Sequence, residues 1–201
     1  MKKLFAAAAS LALLVTLSGC SGLDSKPKSV EASITTPPAG WVWLENASGK
    51  FKVAFPIADP QEQSQDINEN DIRLKNHLFI GEFGEANEDL GKSNAIMGYL
   101  EFADESQVSS LEMSLFEEQF FKSFISSFVS GAEATELSRT KYTNNGNNGY
   151  DVEAKMNEHD RKLFMRVFRF GKSFYYQAVG LNGTDSFNHK DFFNSLTVSG
   201  S

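Results

Sequence analysis

The residues with which this chain could do chemistry are three histidines, one cysteine and a scatter of carboxylates. His77, His159 and His189 stand apart, none at i, i+4 spacing to another, so none forms the helical pair that metal sites use. Each reads as surface or strand-face filler. Asp66-x-Asn68-x-Asn70 imitates the opening of a calcium-binding loop. It then fails, because Asp71 stands where the turn glycine belongs and His77 where the bidentate glutamate belongs. Gly91-Lys92-Ser93 and Gly171-Lys172-Ser173 end like phosphate-binding loops, but the earlier glycine is Ala86 in one and Arg166 in the other. No Gly-x-Ser-x-Gly nucleophile elbow is present. Asp104-Glu105 and the run Glu82, Glu85, Glu88 and Asp89 could hold a hard cation, though such runs are more often solvated loops. Nothing here assembles a catalytic set, a metal centre or a cofactor site.

The cysteine differs because of what precedes it. Lys2 and Lys3 lead into an apolar run over residues 4–17. That run is too short to cross a bilayer, which takes about 20 residues. It closes on Leu17-Ser18-Gly19-Cys20, and residues 1–20 read as a secretory signal. The closing motif resembles the lipobox of bacterial lipoproteins, with Cys20 at its +1 position. The resemblance implies a diacylglyceryl group on the Cys20 thiol, removal of residues 1–19, and acylation of the new amino group, usually with a palmitate-like chain. Each buried methylene contributes about 0.8 kcal/mol, so one chain binds weakly and two or three hold firmly. Ser21 is not the aspartate that retains such proteins in the inner membrane. The expected location is therefore the outer membrane of the cell envelope, facing the periplasm.

Composition narrows the partners. The net charge is −7, and losing Lys2 and Lys3 would make the remainder more acidic. Anionic phosphates repel such a surface, which argues against nucleic acid and against broad adhesion to anionic lipid. With Cys20 acylated, no thiol is left for a disulfide or a nucleophile. The fold must then rest on its apolar core, and 18 phenylalanines supply much of it.

Residues 20–40 read as a lipidated cysteine and a flexible tether, rich in Ser, Lys and Pro without a period. Residues 41–199 read as one globular domain. Alternation predicts strands over 41–44, 50–55, 61–68 and 72–80, a loop over 81–93, and a strand over 95–102. A helix is expected over 109–131, from the capping-box spacing Ser109-x-x-Glu112 to Gly131. Strands follow over 135–142 and 150–157, separated by a turn over 144–149. Strands 162–170 and 173–181 pair across Gly171-Lys172. A last helix is expected over 185–196. This order predicts an α+β fold: an antiparallel sheet with a long Phe-rich helix and a C-terminal helix packed on it.

The segment Gly49-Lys50-Phe51-Lys52-Val53-Ala54-Phe55-Pro56 resembles the opening of Mog1/PsbP-like domains, which include DcrB-type lipoproteins. So does the closing part, Phe174-Tyr175-Tyr176-Gln177-Ala178-Val179 followed by Phe192-Phe193-Asn194-Ser195-Leu196, with Leu196 where an aromatic is common. The resemblance implies an α/β/α sandwich and a binding or assembly role. It carries no catalytic residue across.

The helix is the one element with functional reach. Phe116, Phe120 and Phe124 widen its apolar face. Either they pack on the sheet, or they line a groove for a partner or an acyl chain. Two readings of function follow. One is a non-enzymatic envelope lipoprotein, membrane-anchored, that binds another envelope protein. The other is a carrier or chaperone of an apolar small molecule.

Overall fold

The computed structural model describes residues 29–69, 72–87, 91–104, 110–157, 161–183 and 187–199. Over these residues β3 (Gln61–Glu69), β4 (Ile72–Asn87), β5 (Gly91–Phe102), β6 (Ala134–Asn144), β7 (Asn147–Met156), β8 (Lys162–Phe170) and β9 (Ser173–Leu181) form one seven-stranded sheet. Its order is β3-β4-β5-β9-β8-β7-β6, with every neighbouring pair antiparallel. A smaller sheet has the order β1-β2-β10, from β1 (Val42–Asn46), β2 (Phe51–Phe55) and β10 (Thr197–Val198). Two helices complete the described chain, α1 (Ser110–Gly131) and α2 (His189–Asn194). The fold is α+β, with the antiparallel sheet and the two helices that the alternation predicts.

Side-chain alternation sets the layers. Successive residues of a strand point to opposite faces. In β5, Ile96, Leu100 and Phe102 join the core under α1, while Ala95, Met97 and Tyr99 join the core under the small sheet and α2. In β9, Phe174, Tyr176 and Ala178 face α1, and Tyr175 and Val179 face the other side. Central strands apolar on both faces need cover on both faces. The helix and the small sheet provide it.

One row of directly opposed residues crosses six strands: His77, Tyr99, Tyr175, Phe168, Gly149 and Tyr142. Ring centroids lie 4.5 Å apart for His77 and Tyr99, 6.1 Å for Tyr99 and Tyr175, and 5.7 Å for Tyr175 and Phe168. Tyr142 then reaches Phe168 at 5.6 Å across the bare backbone of Gly149. A methyl at Gly149 would collide with the Val167 carbonyl oxygen and lie 2.6 Å from Phe168 Cα. On the opposite face Gly98 leaves room for the Tyr176 ring, whose hydroxyl donates to Asn76 Oδ1 at 2.9 Å.

The structure departs from the sequence reading in four places. The loop expected over 81–93 is instead a ribbon: β4 continues to Asn87 and β5 begins at Gly91. Most of its side chains are polar, and backbone pairing needs no apolar side chain, while Phe83 packs against the core under the small sheet. The turn at 144–149 is only two residues, Asn145 and Gly146, both at positive φ (50° and 83°), as a primed hairpin turn requires. The C-terminal helix is shorter than 185–196, and β10 follows it. The tether expected over 20–40 is docked from residue 29 onward: Val30 is buried and bridges Val198 in antiparallel register. The Ser109 cap lies outside the described residues.

Gly149→Ala is expected to lose about 3 kcal/mol, since the methyl must displace backbone. Gly146→Ala faces open space and should lose only about 1 kcal/mol from its left-handed φ. Urea unfolding of the two variants checks the ranking.

Candidate functional site

Cys20, the expected lipidation site, lies outside the described residues. Phe116, Phe120 and Phe124 are all within them, at 3 %, 0 % and 5 % exposure. Phe120 stacks on Phe174 of β9 at 3.8 Å, Phe116 sits 5.6 Å from Phe102, and Phe124 meets Tyr176 edge-on at 4.9 Å. The groove considered for these three rings is therefore closed: they fill the helix–sheet contact. An i, i+4, i+8 row of Phe on a helix over a Phe- and Tyr-bearing sheet gains most by burial on that sheet.

The remaining motifs are dispersed. Asp66 and Asn68 are exposed on the extended strand β3, opposite Lys75 and Arg73, so they cannot wrap an ion. Asn70, Glu88, Asp89, Glu105 and His159 lie outside the described residues. Gly171 and Lys172 form a hairpin turn, and Gly91 opens β5. Among the described residues, no three His, Cys, Asp or Glu side chains converge to hold a metal ion. No described helix is long and apolar enough to cross a membrane.

What the fold does bring together is a polar latch where β6, β7, β8, α2 and the N-terminal segment meet. Arg166 of β8 forms a two-pronged pair with Asp151 of β7, Nε to Oδ1 at 2.7 Å and Nη2 to Oδ2 at 2.8 Å. Its Nη1 donates to Asn194 Oδ1 at 3.2 Å. The guanidinium also lies over Tyr142 at 4.0 Å and near Phe193 at 5.2 Å. Planar Arg suits such a slot between rings and a carboxylate. Arg169, on the same strand, pairs instead with Glu117 of α1, Nε to Oε2 at 2.7 Å. Arg161 donates to the Lys92 carbonyl at 3.3 Å.

Beside this latch runs the segment from Ser29 to Ser33. Val30 and Val198 exchange both backbone hydrogen bonds at 3.0 Å. The Ser33 amide donates to the Asn194 carbonyl at 2.8 Å. From the β6–β7 turn, Asn145 Nδ2 donates to the Ser29 carbonyl at 3.0 Å and Asn144 Nδ2 to the Glu31 carbonyl at 3.3 Å. Sequence reasoning missed this strap. Its only local signal is a lone Val30 in polar surroundings, and its partners lie more than a hundred residues away.

The chemistry of the cluster is positional. Arg166 spends donors on Asp151 and Asn194, and burial pushes the Tyr142 hydroxyl up from its ordinary 10.0. His189 stacks on Phe164 at 3.8 Å and 5° between planes. Burial, then Lys190, hold its pKa below the ordinary 6.5, with Arg166 adding and Glu153 and Asp151 opposing. The ring is therefore a neutral packing group at pH 7. No family model matches the chain, and no match to it is found among curated proteins.

His189 carries a pH consequence. Below pH 6.5 the unfolded chain takes up its proton before the folded one, so the stability this neutral ring supplies is lost as pH falls. Urea midpoints are expected to drop between pH 7 and pH 5 by less in His189→Gln than in the natural chain.

Proposed function

We propose that this chain is a lipid-anchored envelope lipoprotein whose folded domain is a non-enzymatic binding or assembly module at a bacterial membrane surface. The observation that carries the reading is the sole cysteine, Cys20, closing Leu17-Ser18-Gly19-Cys20 after a short apolar run behind two lysines. Ser21 supports delivery to the outer membrane, with the domain facing the periplasm. A disulfide-free domain with two apolar cores suits an anchored module that stands on its own fold. The partner is another envelope protein, met by the domain's surface.

Two features support binding over catalysis. The half-buried titratable groups of the latch are engaged with each other. The rings considered for an apolar-ligand groove are packed against Phe102, Phe174 and Tyr176. The packing of these three rings favours the binding module over a carrier that would use them to line a groove.

Metabolic labelling with a palmitate analogue, followed by membrane fractionation, tests the anchor. The natural chain should be labelled and sediment with membranes. Cys20→Ala should be unlabelled, keep its full-length mass, and lose the acyl contribution of about 0.8 kcal/mol per methylene. Equal labelling and equal processing of both would overturn the reading.

A further inference from the structure

We propose that the domain meets the lipid surface by one particular end, the one formed by the β6–β7 turn at Asn145 and Gly146. This rests on the reading of Cys20 as the acylated residue. The strap carries the argument. It is held by Val198, Asn194, Asn144 and Asn145, so the chain enters the fold against the tip of that turn.

Covalent reach then limits the geometry. Whatever its conformation, the chain from Cys20 to Ser29 spans about 30 Å at most. The twelve-residue strand β5 alone makes the large sheet about 36 Å long. The far end of the sheet could touch lipid only with the connection drawn out along the whole molecule. The β6–β7 end needs no such extension.

The tip that the strap reaches is uncharged: residues 142–150 carry no charged side chain at pH 7. Lys50 and Lys172 lie in further turns at this end, and Glu31, Asp66, Glu101 and Asp104 lie there too. Charge therefore does not choose between the ends; covalent reach does, and the uncharged amides of the tip can donate to headgroup oxygens. The orientation leaves the β4–β5 ribbon and the ring cluster of Trp41, Phe187 and Phe83 directed away from the membrane, toward a partner.

The test uses protein purified from membranes, with its mass measured first. It is placed in nanodiscs of phosphatidylethanolamine and phosphatidylglycerol that contain a gadolinium-chelate lipid. Relaxation of backbone amides then reports distance from the headgroups. Gly146 and Gly171 should broaden severalfold more than Glu82 and Lys92. An acylated protein with equal or reversed broadening overturns the orientation. A protein of unacylated mass overturns instead the reading of Cys20.

Discussion

Two central strands with rings on both faces are the constraint from which the architecture follows. β5 and β9 pair with each other and place large apolar side chains above and below the sheet. Left uncovered on either side, they would expose an apolar face far larger than a soluble surface carries. The long crossover between β5 and β6 supplies α1 for one face. The chain ends supply the rest: β1 and β2 from one side of the sequence, α2 and β10 from the other, and Val30 at the margin.

The covering layers are tied down by polar contacts at few points. Gln177 of β9 donates from Nε2 to the Phe192 carbonyl at 2.6 Å. Ser195 donates to the same oxygen at 2.7 Å and accepts from the Ala54 amide at 3.0 Å. One carbonyl thus links the large sheet and α2, and one hydroxyl links α2 and β2. The Phe-x-x-Ser order at the chain's end has a structural meaning here: the ring of Phe192 fills the core while the serine closes the helix. Asn76 Nδ2 and Gln177 Oε1 are buried without a hydrogen-bond partner, a cost of the kind that a large apolar core can carry.

Much of this was legible from local pattern. The strict alternation in β7 and the doubly apolar runs of β8 and β9 carry their own secondary structure, because period and burial agree. The helix was legible from its Phe spacing. What local pattern could not hold was whatever depends on distant partners. The β4–β5 ribbon looks like a loop because most of its side chains are polar, while its order comes from backbone pairing and from Asn182, which donates to the Glu85 and Gly91 carbonyls. The strap looks like linker because proline and serine dominate around it, yet Val30 finds Val198. The choice between groove and core for Phe116, Phe120 and Phe124 is likewise undecidable on the helix alone, since it depends on Phe102, Phe174 and Tyr176 of the sheet.

Those rings hold the molecule together as part of the core under α1. The most direct measurement is the unfolding free energy of Phe120→Ala in urea. If Phe120 is core, the variant loses about 3–5 kcal/mol, the usual result of emptying a buried aromatic site. A loss below about 1 kcal/mol, as for a surface residue, would contradict the account and return these rings to the lining of a groove.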